Sequence, residues 1–350
     1  MEGDMARAIA RPCRLRYRRH AMARILPPAP GRPLTIIEPT GETSLLEVDE
    51  EAIIAHYKAH GALLFSGFGA TLDQFHGLAR RMCSTSVVNE SPGRELLDPG
   101  KAIYAVDGGT NAFSLHPELS REPWKPDLAM FGCLSAPTEG GRTTLCDGVA
   151  LVKALPEEIR RGLEGRRLVY PMSTWPTLLE YWLGTAEPND DQLRNPPEGC
   201  PYQFMRLHDG RIARLFSRPA LHKPMFADEL AFGNFLLFAR FNNKRQGFPL
   251  FDDFTPVPDE WLETIRQIGD TLTLAVKWRQ GDVLMLDNTR FMHGRTAILD
   301  NAERQIATYF GYLKFALPNP EEPVDPIWRR TDFDPPRPPE HLVRQARERL

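Results

Sequence analysis

A series of short apolar runs, at 62–65, 102–106, 112–116, 128–134, 143–146, 272–278, 283–286 and 305–313, brackets a Trp-, Pro- and Asn-rich stretch over 173–270. Runs this short suit strands. No strand–helix–strand rhythm links them, which excludes a doubly wound parallel sheet and leaves an antiparallel barrel or jelly roll interrupted by a long insert. Helical spacing is confined to the edges of this pattern. Val48, Ile53, Ile54 and Tyr57 predict a helix over 47–60 that stops at Gly61, and Thr71 with Gln74 forms a capping box for a second over 71–83. A third helix starts at Pro156-Glu157-Glu158, and the insert reads as short helices and loops. The fold class is thus mainly β with flanking helices, in a single domain over 31–316.

The ends differ from this core. Residues 1–24 hold seven arginines and no apolar run, so 1–30 reads as a disordered Arg-rich leader. A transit peptide and a start at Met22 stay open. Residues 317–350 read as a Pro-rich surface strap around Trp328, followed by a short basic helix from about 341. The net charge of −3 argues against wholesale binding to nucleic acid or anionic membranes. Five scattered cysteines without a CxxC pair suit a reduced, cytoplasmic protein. No apolar run approaches the roughly 18 residues of a membrane span.

Against this frame one tripeptide carries chemistry. His116-Pro117-Glu118 is followed far downstream by His293, and two imidazoles with one carboxylate are the ligand set of a facial iron(II) site. On a strand, residues i and i+2 share a face, so His116 and Glu118 are expected to project together from one strand. Thiolates would instead favour zinc or clusters. Nine histidines and roughly a 13% chance of an acid two places on yield about one such match by accident, so the context decides. His56 and His60 also have metal-binding spacing, but no acidic or histidine partner joins them. With His76, His208, His222 and His341 they read as solvated helical or polar residues.

The context carries a family resemblance. The segment Pro137-Thr-Glu-Gly-Gly-Arg-Thr143-Thr-Leu-Cys-Asp-Gly148 resembles the Gly-Gly-X-Thr segment of taurine dioxygenase-like (TauD/TfdA) oxygenases. The distal motif of that family is similar to Gly281-Asp-Val-Leu-Met-Leu-Asp-Asn288 with His293-Gly-Arg295, and its early strand to Gly61-Ala-Leu-Leu-Phe65 with Gly67-Phe68. The resemblance runs in order from about residue 45 to 315. It implies a double-stranded β-helix (jelly roll, cupin-like) and an enzyme that uses iron(II), 2-oxoglutarate and dioxygen. The metal ligands would be His116, Glu118 and His293, with no further catalytic residue. Related halogenases carry a small residue in place of the carboxylate, so Glu118 favours hydroxylation, desaturation or cyclisation. A glutamate here resembles the amino-acid oxygenases of natural-product pathways, the clavaminate synthase-like and syringomycin aspartyl hydroxylase-like enzymes.

The distal carboxylate of 2-oxoglutarate needs a cation, and arginine binds carboxylate bidentately. The resemblance implies Arg304 with Thr143, and Arg295 as a substitute. Many members carry a further arginine about four places on, where this chain has Thr308. The substrate implied is small and amino-acid-like, free or tethered to a carrier protein, with no role for nucleic acid or membrane. Arg121, Asn242 and Arg245 are the candidates for its pocket, and Glu122, Trp124 and Lys125 lie in the same stretch as Arg121. Two other readings compete: a non-catalytic metabolite-binding member of the fold, and a zinc hydrolase on a cupin-like barrel.

Overall fold

The computed structural model describes residues 23–87, 89, 94–106, 109–299 and 304–341. Eight strands form the core: β1 (Ile103–Ala105), β2 (Phe113–His116), β3 (Leu128–Ser135), β4 (Thr143–Asp147), β5 (Leu274–Ala275), β6 (Val283–Asp287), β7 (Phe291–Arg295) and β8 (Gln305–Leu313). One sheet orders β1-β8-β3-β6 and the facing sheet orders β5-β4-β7-β2. Successive strands switch sheets except at β4–β5, which is the winding of a double-stranded β-helix.

The central strands β3, β6 and β8 are almost wholly buried because both of their faces are covered. Period-two alternation still sorts their side chains. Ala129, Phe131, Leu284, Leu286, Ile306 and Phe310 join the core shared with the facing sheet and the insert. Leu128, Met130, Val283, Met285, Ala307 and Tyr309 face the other way, into a second core with Ile53, Tyr57, Phe75 and Leu78. Those residues come from the helices Glu50–His60 and Leu72–Met82, each buried along one stripe. The first helix begins three residues later than its spacing predicts. Leu45–Glu47 forms its own 3-10 turn under Ser44, and the Asp49 side chain accepts the Glu51 N–H to start the helix. It ends at Gly61 in the left-handed region. The second has the expected Thr71–Gln74 capping box.

The sheet of β6 is extended by Ala62–Phe65, then Thr35–Glu38, then Arg24–Leu26. Residues 24–26 are therefore a paired strand, which corrects the expected leader over 1–30 for that part; residues 1–22 lie outside those described. The excursion between β4 and β5 begins directly with the helix Gly148–Ala154 and is broader than 173–270. Besides short helices it holds a four-stranded antiparallel sheet of Gln203–Arg206, Ile212–Pro219, Arg167–Ser173 and Leu250–Phe251. The helix Asp259–Leu272 follows and returns the chain to β5. The Pro-rich strap is pinned by buried Trp328 and by Arg329, which reaches both Asp127 and Glu322. Apart from His341, the predicted C-terminal helix lies outside the described residues. No helix among the described residues is long and apolar enough to cross a membrane.

Candidate metal centre and anion clamp

The β2–β7 ladder places His293 directly opposite His116, with ring centroids 4.6 Å apart. The strand β2 ends at His116 because Pro117 has no N–H to continue the ladder. Glu118 therefore does not share a strand face with His116, as its spacing predicted. It sits in the following turn, with Leu119 at φ +50°. Asn288, just past β6, fixes that turn. Its Oδ1 accepts the Glu118 N–H at 2.7 Å, and its Nδ2 donates to the carbonyls of Glu118 and Pro126 at 3.1 and 2.8 Å.

This folding-back brings one ligand atom from each of His116, Glu118 and His293 to within 4.8 Å of the others, the only such cluster found among the described residues. The donor set fits a divalent ion. His116 Nδ1 lies 2.8 Å from the Ser114 carbonyl, which assigns the proton to Nδ1 and leaves the Nε2 lone pair for a metal. Burial, then the neighbouring His116 and Arg94, hold the His293 pKa far below the ordinary value, so that ring is neutral. Glu118 is 4% exposed. The ring of Phe238 lies tilted against His116 at 4.4 Å, and that of Phe131 meets His293 edge-on at 4.9 Å.

Two residues at this carboxylate carry no sequence signal. Asn89 Nδ2 donates to Glu118 Oε1, and Arg94 Nη2 donates to Oε2 at 2.9 Å. Arg94 Nη1 also donates to Thr308 Oγ1 at 3.1 Å, so a guanidinium from a distant segment reaches position 308.

A second polar cluster lies along β4 and β7, where Thr143 pairs with Arg295. Gly140 and Gly141 both have positive φ, and a Cβ on Gly141 would lie 2.8 Å from Arg304 Cδ. The glycines thus let the Arg304 chain lie across this loop, where its Nε donates to the Gly141 carbonyl at 2.7 Å. Burial first, and Arg295 second, depress the Arg304 pKa to about 10, which still leaves the guanidinium charged at neutral pH. Trp278 Nε1 donates to Thr143 Oγ1 at 3.1 Å, so the threonine proton is directed elsewhere as a donor. Arg295 is engaged differently. Its Nε and Nη2 donate to the carbonyls of Asn111 and Gly109 over the Phe113 ring.

The substrate candidates separate. Asn242 uses its side chain to hold the edge of β2, accepting the Ser114 N–H at 2.6 Å. Arg121 and Arg245 are exposed and lie over Phe235 and Phe248. Glu122 is buried with Arg214 and Tyr202 and so faces the insert's interior. His222, expected to be solvated, instead bonds the Thr289 carbonyl at 2.7 Å, and burial drives its pKa to about 3.

Lys125 is buried, and among the described residues its hydrogen-bond partner is the Gly233 carbonyl at 3.4 Å. Burial lowers its pKa from 10.5 to about 7. The unfolded chain keeps this proton up to about pH 10.5, while the native protein releases it near 7, so the group's penalty is full below pH 7 and fades towards 10.5. Lys125→Met should therefore raise the melting temperature by about 5 °C at pH 6.5. Scanning calorimetry should show the gain shrinking towards pH 10; a gain independent of pH would contradict this account.

The family model described as "Taurine catabolism dioxygenase TauD, TfdA family" matches residues 26–308. The chain belongs to the TauD/TfdA family. This TauD/TfdA chain is 22% identical over 295 residues to the dapdiamide synthesis protein DdaC of Enterobacter agglomerans, covering 73% of this chain and 85% of that one. The PvcB protein of Pseudomonas aeruginosa shares its fold, with a TM-score of 0.55 at 16% identity over 85% of this chain and 94% of that one. A further PvcB structure is described as an Fe, alpha-ketoglutarate dependent oxygenase from an isonitrile synthetic pathway. A taurine dioxygenase from Burkholderia xenovorans gives 0.56 at 14% identity over 84% and 91%. As a member of this family the chain is an iron(II)- and 2-oxoglutarate-dependent dioxygenase.

Proposed function

We propose that His116, Glu118 and His293 hold the iron, that Arg304 and Thr143 hold the distal carboxylate of 2-oxoglutarate, and that the enzyme hydroxylates an unactivated C–H of a small amino-acid-like substrate. When bound, iron(II) with 2-oxoglutarate and dioxygen supplies an oxidant strong enough for that bond, releasing succinate and carbon dioxide. The protein's part is to bind and orient. The facing histidines and the folded-back glutamate would supply three protein ligands to the ion, a set that leaves positions for exchangeable ligands. Arg304 offers its terminal N–H groups, which have no hydrogen-bond partner among the described residues, and Thr143 adds a hydroxyl donor fixed by Trp278. Arg295 suits this role less, because its guanidinium is already bonded to carbonyls.

The observation that carries the reading is the three-residue cluster within 4.8 Å. A metabolite-binding protein has no need of that whole set, and a zinc hydrolase would give Arg304 and its glycine cradle nothing to do. The similarity to a dapdiamide synthesis protein supports a small biosynthetic substrate, and a carrier-tethered form belongs to the same reading. Cys83, Cys133, Cys146 and Cys200 are free thiols, which supports a reducing, cytoplasmic setting.

Anaerobic addition of iron(II) and 2-oxoglutarate should produce a visible metal-to-ligand charge-transfer band. The band should vanish in His116→Ala and need far more 2-oxoglutarate in Arg304→Gln. A wild-type protein without the band would overturn the proposal.

A further inference from the structure

The carboxylate of Glu118 is held by a chain of contacts that starts in the barrel wall. Thr308, wholly buried on β8, donates its hydroxyl proton to the Tyr104 carbonyl of β1 at 2.9 Å. With that proton committed, the Thr308 oxygen keeps a lone pair for a donor, and Arg94 Nη1 supplies one at 3.1 Å. The same guanidinium lies 4.9 Å over the ring of Phe310, which shares a face of β8 with Thr308. Its other arm, Nη2, donates to Glu118 Oε2 at 2.9 Å, and Asn89 Nδ2 donates to Oε1. Both members of the ion pair are nearly closed to solvent, at 7% and 5% side-chain exposure.

This bracing limits where the carboxylate can go. A guanidinium fork is planar and rigid, so fixing one arm on Thr308 and the plane on Phe310 fixes where the other arm can hold Oε2. Oε2 thereby lies 3.7 Å from His293 Nε2, within the span of two metal–ligand bonds of roughly 2.1 Å each. Charge alone gives Arg94 the opposite effect. A cation beside the site of a divalent ion repels that ion and weakens its binding. Orientation and repulsion therefore differ in sign, which makes them separable by measurement.

We propose that Arg94 is a positioning residue for the iron site: braced on Thr308 and Phe310, it presents Glu118 Oε2 to the ion while Asn89 retains Oε1. This rests on the iron-site reading above and adds to it a residue from outside the ligand motif. A ligand held in place before the ion arrives loses less freedom on binding it, and this gain outweighs the repulsion from the guanidinium. Thr308 acts through Arg94 and has no contact of its own to make with the ion.

The metal-free protein is dialysed anaerobically against iron(II), and affinity and melting temperature are compared among variants. Arg94→Met should bind iron about tenfold more weakly or worse, the scale seen when a group that orients a metal ligand is removed. Arg94→Lys, which keeps the charge and loses the fork, should not restore the affinity. Thr308→Val changes neither Glu118 nor the charge of Arg94. It should weaken iron binding severalfold alone and add nothing in the Arg94→Met background. This variant also decides the matter if Arg94→Met fails to fold. Equal or tighter binding in Arg94→Met would overturn the proposal and leave a plain buried ion pair. Full affinity in Arg94→Lys or in Thr308→Val would overturn it as well. A wild-type protein with neither iron binding nor the charge-transfer band removes the iron-site reading itself, so the two failures are told apart.

Discussion

Glu118→Ala lowers substrate oxygenation by more than about 100-fold, since changes to residues that merely support a metal ligand already cost 10–100-fold. The carboxylate is 4% exposed and accepts from Asn89 and Arg94 on its two oxygens, so nothing nearby can take its place without displacing those contacts. Alanine leaves the turn itself intact, because Asn288 holds the Glu118 backbone rather than its side chain. The melting temperature should therefore change far less than the activity. Succinate formation, product formation and iron binding measured together separate loss of the site from loss of the fold. Full activity in this variant would mean that the metal lies elsewhere.

The second large effect concerns stability. Arg329→Met should destabilise the protein by about 3–5 kcal/mol, the usual result of stranding one partner of a buried ion pair. Asp127 is 2% exposed and receives Arg329 on both oxygens, at 2.8 and 2.9 Å, and the Leu313 N–H at 3.0 Å. Burial outweighs these contacts and raises the Asp127 pKa, while the same contacts hold the arginine firmly charged. An acid whose folded pKa is raised above its unfolded value is penalised above that folded pKa and relieved as pH falls through it. Removing the arginine raises it further, so the deficit against wild type should be larger at pH 7.5 than at pH 5.5. Urea melts at both values give the comparison. Asp127→Asn added to Arg329→Met should recover part of the loss. A single-variant deficit below about 1 kcal/mol would show that the strap does not depend on this pair.

The barrel was readable from its apolar runs, and some bounds coincide to the residue. Ala62–Phe65 and Gln305–Leu313 appear where composition predicts them, and Thr71 with Gln74 caps its helix as expected. The strand carrying His293 was recognised only as a motif. All five residues of Phe291–Arg295 are buried, so no alternation marks them, and Gly294 has little strand preference. His116 and Glu118 do meet, though not on the shared strand face that their spacing predicts. A proline between them ends the strand, and the meeting depends on Asn288, a residue whose use of its amide no spacing rule reports. Asn89 and Arg94 were invisible because only the path of the chain brings them to the carboxylate. The insert's sheet was hidden by its composition, with Pro171 inside one strand and arginines throughout another.

The two ends of the great excursion, β4 and β5, are hydrogen-bonded neighbours, Leu145 facing Leu274 and Thr144 facing Ala275. The chain therefore leaves the barrel and re-enters it at the same spot, as a hairpin does with a short loop. Closing such a loop costs only slowly more as it lengthens. Segments spliced in or out between those strands need not shift the pairing of His116 with His293. The excursion can thus change in length and content as a cassette, while the strands that flank it keep their places in the barrel.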